Sequence, residues 1–428
     1  ATFSTEIGIR LLAFTTRIVI VRNLSPSDFG AFSLFMSFSL TLGYLSNLGL
    51  PQAIVYFIGK GKAPVEKMVG TYLFLFLCIG LSVVSGSYML RDFPLRSFLK
   101  ELPPYYYLPL LLFYFFTLLD AFLQSLIRGL KKFGLFNVRR LLTPVGNLFG
   151  VLVILLLSGL TLRSVIIVSL SVNVLLTIIL TMKVLSITSF RFDLHWLTIR
   201  SLLRYGILSY LQLIVAHLIY QADLYMIAYL LDAQQVAFYS IAVGVATLLW
   251  FLPDTIGIVL FPALSSIENE NQIHSFSAQV CRNTLLITTL GALGLGLIGK
   301  YVIVLFYGVH YLKSVNAMLI LLPGIVSMSS YKVLTRNFSS RNRQQVSIIA
   351  AGISLLLNIG LNWYWIPKYG IEGAAVASTI TYTLAGVILI GKVKMESNLP
   401  LRKILLVDKT DIVSYKEIIS RVAKKYRT

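Results

Sequence analysis

Charge is scarce in this sequence, and negative charge is scarcer still. Asp and Glu supply 17 of 428 residues against 37 Lys and Arg, and charged residues together make up 13%. A soluble domain carries about 25% charged residues, so this chain has too little polar surface to cover a water-facing globule. Cysteine is nearly absent. Cys78 and Cys281 lie far apart, which excludes a disulfide framework and any cysteine-based metal spacing; both read as packing residues. No GxxxxGK[ST] phosphate loop is found either, so an energy source has to be an ion or substrate gradient. No cofactor or metal ion is expected.

What remains is apolar. Hydrophobic residues make up 57% of the chain, and its mean hydropathy is +0.81. Stretches of about 20 apolar residues mark bilayer-spanning helices. Twelve are expected, centred near residues 13, 43, 80, 115, 150, 174, 217, 250, 294, 325, 354 and 382. The fold class is therefore an all-α polytopic membrane protein. The chain starts at Ala1 rather than Met, so a short preceding piece is expected. Its first span, IGIRLLAFTTRIVIV, is too polar for the core of a signal peptide and reads as a retained helix.

The net charge of +20 would suit nucleic acid only if it formed a basic face on a soluble fold. Here the cations sit between apolar spans, where cytoplasmic loops are enriched in Lys and Arg. With the N-terminus inside, inward segments hold 27 basic residues and outward segments 8, with Arg10 and Arg17 inside the first span; without the tail the ratio is 17 to 8. Both termini are expected to be cytoplasmic, in a plasma membrane, and no nucleic acid partner is expected.

LSPSDFGAFS (residues 24–33) aligns with LDAQQVAFYS (residues 231–240) at an offset of 207. Each follows the first span of its half. The repeat divides the chain into six-helix lobes, 1–198 and 199–395, followed by a basic tail, 396–428. Inverted or parallel repeats of this kind build alternating access in many transporters. In the tail, SYKEIISRVAKKYR has helical spacing and suits either an anionic lipid surface or a partner protein.

Several blocks carry a family resemblance: RNLSPSDFGAFSLF, SNLGLPQAIVYFI, LRYGILSYLQLIV, QADLYMIAYLLDAQQVAFYSIAV, FPALSSI and NWYWIPKYGIEGAAVASTITY. In this order they resemble the polysaccharide flippases of the multidrug/oligosaccharidyl-lipid/polysaccharide exporter superfamily, over residues 1–395. The resemblance implies a V-shaped pair of lobes around a central, often cationic cleft. It also implies transport of polyprenyl- or dolichyl-pyrophosphate-linked oligosaccharide from the cytoplasmic leaflet outward. Lipid-linked oligosaccharide, membrane lipids and other polysaccharide-assembly membrane proteins would be the partners. The superfamily also contains cation-coupled multidrug exporters, the first alternative. A membrane-embedded glycosyltransferase or ligase is a further one. Such enzymes commonly use a sizeable outward loop or a carboxylate-rich metal site; here the longest outward segment is the 14-residue RDFPLRSFLKELPP. The protein is read as a transporter, not an enzyme.

Polar residues inside spans are expensive and mark function by default. Glu6, Arg10 and Arg17 share a face of the first helix, since spacings of 4 and 7 keep within about 40° at 100° per residue. Either Glu6 pairs with Arg10 along the helix while Arg17 snorkels outward, or the stripe lines the cleft. The mid-helix position of Arg10 favours the cleft. In the seventh span Gln212 and Asp223 share a face, 11 residues apart, while His217 points elsewhere and reads as a packing histidine. Under the repeat offset Arg17 falls opposite Leu224, so Asp223 is expected to face the cleft and to approach Arg17; a static ion pair is the rival. Asp120, Gln124 and Arg128 share a face of the fourth span. Lys332 and Arg336 end the tenth, as inward anchors or as collectors of a diphosphate. Asp254, after Pro253, has no evident partner. Arginine forks suit a diphosphate, and amide and hydroxyl groups such as Gln212 and Tyr220 suit a glycan. The expected substrate cleft therefore comprises Arg10, Arg17, Gln212, Tyr220, Asp223, Asp120, Gln124, Lys332 and Arg336, with Asp223 and Glu6 as candidates for ion coupling.

Overall fold

The computed structural model describes residues 2–60, 65–89, 100, 102–188, 196–397 and 399–408. Most of the long outward segment 91–104 and the tail stretch 414–427 lie outside the described residues. Among the described residues the chain is helical throughout, without strands. The helices are α1 (Thr2–Asn23), α2 (Pro26–Ser46), α3 (Leu50–Gly59), α4 (Val65–Met89), α5 (Tyr107–Gly129), α6 (Phe133–Ser158) and α7 (Leu162–Ile187). They continue as α8 (Trp196–Leu230), α9 (Ala233–Ala246), α10 (Phe251–Ser265), α11 (Glu270–Tyr307), α12 (Ser314–Ser340), α13 (Gln344–Ser397) and α14 (Leu401–Leu405).

Ten helical stretches among the described residues are long and apolar enough to cross a membrane, α9 and α10 forming one of them. α1 has the length, at 22 residues, but carries Glu6, Arg10 and Arg17. α13 runs for 54 residues and breaks at Gly370, whose φ of 59° is closed to most side chains. With α1 included and α13 divided there, the ten become the twelve expected from the sequence.

Local chemistry sets the helix starts. Ser25 caps α2 by accepting from the Asp28 amide at 3.1 Å, with Pro26 at the first helical position. Asp232, its counterpart at the repeat offset, accepts from the Gln235 amide at 2.8 Å ahead of α9. A side-chain cap therefore stands at both of the aligned segments. Thr161 and Ser164 form a reciprocal capping box at the start of α7.

Two compact units emerge. The first comprises Ala1–Ser240 and Phe306–His310; the second comprises Ile241–Leu305 and the residues from Tyr311 on. In the first unit, Leu50, Ile54, Tyr72, Tyr114 and Phe122 form a fully buried core among α3, α4 and α5. Two glycines set its closest backbone approaches. At Gly30 a Cβ would run into the backbone of Ala233, and at Gly49, where φ is +70°, into that of Gly206. The second unit buries α12 deeply, and Trp250 donates to the Ile325 carbonyl at 3.0 Å.

Candidate functional site

In the first unit α1, α5 and α6 bring together four arginines and two carboxylates. Glu6 reaches Arg10 one turn along α1 at 3.5 Å and, through its other oxygen, Arg140 of α6 at 2.9 Å. One carboxylate therefore serves two guanidiniums. Beside it, Asp120 of α5 pairs with Arg139 at 2.9 Å and accepts from Gln124 at 2.6 Å. Arg128 and Arg140 both stand over the ring of Phe136, at 5.4 and 5.5 Å. The cluster grades from covered to open: side-chain exposure is 6% for Arg139, 15% for Asp120, 32% for Arg140 and 42% for Arg10. Cationic surplus meets accessibility at its Arg10–Arg140 end.

Glu6 pairs with Arg10 within its helix and also has a protein neighbour in Arg140, so these two members of the polar stripe do not face lipid unaided. Arg139 and Arg140 were counted as loop charges from the sequence. They lie six and seven residues into α6, and the signal was present in VRRLL, where the apolar helical pattern continues through them.

Arg17 points toward α9 instead. It donates to the Ser240 carbonyl at 2.7 Å and stands 5.7 Å from the Phe29 ring centre. Asp223 is buried, 1% exposed, and accepts from the Tyr239 hydroxyl at 2.5 Å. Gln212 and Tyr220 are half-buried on α8. His217 bonds to Thr41 at 2.7 Å and stacks on Tyr44 at 4.2 Å, in keeping with a packing role. It ends a seam that sequence reasoning missed: Thr41 bonds Tyr225, Tyr225 bonds Ser37 at 3.0 Å, and Ser37 donates to Gln221 at 2.6 Å. The signal was a pair of four-residue spacings, Ser37–Thr41 on α2 and His217–Gln221–Tyr225 on α8.

In the second unit, Asp254 acquires the partner that the sequence left unnamed. Lys332 Nζ lies 2.7 Å from its carboxylate and 4.5 Å from the Trp250 ring centre. Arg336, one turn further along α12, lies against Gly257. Arg341, 3% exposed, binds Glu396 at 2.8 Å, which Arg343 also contacts at 3.0 Å. Arg282 donates to the Lys403 carbonyl at 2.9 Å, fixing the first turn of the tail onto α11. No group of three His, Cys, Asp or Glu side chains suited to a metal converges among the described residues.

Comparison with known proteins connects this arrangement to transport. A protein described as an O-antigen transporter of Shigella flexneri is 21% identical over 89% of this chain and 93% of its own length. A protein described as a low-salt glycan biosynthesis flippase of Haloferax volcanii is 23% identical over 88% of this chain and 78% of its own. The solved structure of a lipid II flippase in an inward closed conformation matches with a TM-score of 0.79, at 17% identity, over 94% of this chain and 88% of that one. The inward-facing structure of a multidrug resistance transporter of the MATE family matches with a TM-score of 0.78, at 15% identity, over 91% of this chain and 94% of that one. The chain belongs to the polysaccharide biosynthesis protein family, whose model matches residues 1–268.

Proposed function

We propose that the protein is a flippase that carries polyprenyl- or dolichyl-pyrophosphate-linked oligosaccharide from the cytoplasmic to the outer leaflet, a transporter rather than an enzyme. The observation that carries this reading is the shared carboxylate: Glu6 bridges Arg10 and Arg140 where a diphosphate would offer each guanidinium its own oxygens. A planar fork binds such oxygens two at a time. Exchanging one shared carboxylate for a diphosphate gives both arginines a fuller set of charge-assisted hydrogen bonds. Arg139 and Asp120 hold α5 and α6 in place beside them. Family membership and the two curated relatives support the same reading.

Transport proceeds by alternating access of two repeat-related lobes, 1–198 and 199–395. Both termini lie on the cytoplasmic side of the plasma membrane, a reading that the uneven share of Lys and Arg between alternate loops supports. Lys332 and Arg336 are candidates to collect a diphosphate at the inner mouth, and Gln212 and Tyr220 to meet the glycan. Asp223 and Glu6 are the groups through which an ion gradient would act. Other membrane proteins of polysaccharide assembly supply and receive the lipid-linked sugar.

The test is translocation in proteoliposomes of a short, labelled polyprenyl-pyrophosphate oligosaccharide, comparing wild type with Arg10→Gln and Arg140→Gln. Wild type moves the lipid and both variants, inserted and folded, lose most of the rate. A wild type that moves no lipid-linked sugar but expels organic cations down an ion gradient overturns the substrate class in favour of drug export.

A further inference from the structure

α6 approaches α7 closely at two of its glycines. A Cβ on Gly146 would meet Val172 Cγ1 at 3.0 Å, and one on Gly150 would meet Val168 Cγ1 at 2.6 Å. Gly146 and Gly150 form a small-xxx-small pair, the pattern that lets membrane helices approach at their backbones. Two residues before Gly146 stands Pro144, inside the helix. It withholds the amide that would bond the Arg140 carbonyl and bends the helix. On the Phe133 side of this crossing the two helices leave a groove of about 420 Å³.

Its walls are two matched stripes. Leu135, Val138 and Leu142 face it from α6, and Leu176 and Ile179 from α7. Its polar groups are Arg139 on one wall and Lys183 and Ser186 on the other. Arg139 is also the arginine that binds Asp120 in the cluster described above. The groove and the cluster therefore share a wall residue and belong to one compact unit.

We infer that this groove holds the first isoprene units of the lipid carrier while the diphosphate occupies the arginine cluster. The inference rests on the lipid-linked substrate proposed above. Walls made mostly of leucine, isoleucine and valine suit a hydrocarbon chain and not a glycan. Arg139 and Lys183 on those walls match a molecule that carries negative charge beside its hydrocarbon. The continuity through Arg139 joins the chain in the groove to a diphosphate in the arginine cluster, and an anionic phospholipid, whose phosphate also suits Arg139 and Lys183, is the rival occupant.

The experiment uses the full chain in phosphatidylcholine nanodiscs and a polyprenyl-diphosphate disaccharide with a photoreactive group on its first isoprene units. Adducts are expected on segments 135–142 and 176–186, displaced by the unlabelled compound and not by phosphatidylglycerol. Leu142→Trp and Ile179→Trp, which fill the groove while keeping its lipid-facing side apolar, should weaken the lipid-linked sugar about tenfold, or about 1.4 kcal/mol. The same sugar diphosphate without its chain should bind both variants as it binds wild type. Adducts elsewhere, equal displacement by phosphatidylglycerol, or full affinity in the tryptophan variants overturns the groove assignment. In those outcomes a chain-free sugar diphosphate that still depends on Arg140 leaves the flippase reading standing. If neither compound binds wild type, both readings fall.

Discussion

Arg17 and Asp223 are held by consecutive residues of one helix. The Ser240 carbonyl accepts from Arg17 at 2.7 Å, and the Tyr239 hydroxyl donates to Asp223 at 2.5 Å. α9 thereby ties α1 to α8 within the first unit. A buried carboxylate that loses a donor bears the desolvation of the exposed charge. Tyr239→Phe should therefore lower stability by about 1–3 kcal/mol, read by denaturation of the detergent-solubilised protein. A variant as stable as wild type shows that the hydroxyl contributes nothing and that Asp223 is satisfied without it.

Glu6→Gln and Arg140→Gln should act in opposite directions on binding of a sugar diphosphate. The first removes the carboxylate that competes with the ligand and tightens binding by about 1 kcal/mol, a factor of about five. The second removes one fork and weakens binding by at least as much. Titration calorimetry with the chain-free sugar diphosphate measures both. Weakening by both substitutions means that Glu6 organises the site instead of occupying it.

Span positions were legible because twenty apolar residues in a row have one stable use. The caps were legible only as a repeat: LSPSD and LDAQQ match at the offset of 207, but that Ser25 and Asp232 each accept an amide three residues on is seen only in the structure. The arginine cluster was legible only in part. Glu6, Arg10, Asp120 and Gln124 stood out as polar residues in apolar runs, whereas Arg139 and Arg140 sat near other cations and read as loop. Neighbouring charge hides a membrane arginine more effectively than neighbouring leucine. The Ser37–Thr41–Tyr225 seam was invisible for another reason, since hydroxyls scattered through a span carry meaning only once two helices are known to face each other.

Gly30→Ala should lower the stability of the first unit. The added Cβ enters the backbone of Ala233, and forcing extra volume into a close approach costs about 1–3 kcal/mol. Gly43→Ala, at a site on the same helix with open space around it, is the matched control and should be neutral or slightly stabilising. Thermal unfolding of the pair separates lost glycine flexibility from backbone collision.

Lys332 and Asp254 should show coupling in a double-mutant cycle. Their side chains are 16% and 37% exposed, and groups in contact through a partly covered ion pair interact by about 0.5–3 kcal/mol. Lys332→Met and Asp254→Asn, singly and together, give the term from chemical denaturation. Additive effects mean that Trp250 and solvent satisfy Lys332 without the carboxylate.

The close approach at Gly146 and Gly150 makes α6 and α7 fit like a notch and a tongue. Two missing side chains on one helix leave room for two valines on the other, so the sizes of the residues at 146, 150, 168 and 172 set the gauge between the helices. A larger residue at any of these positions would push α6 off α7 and carry with it Arg139, which is bonded to Asp120.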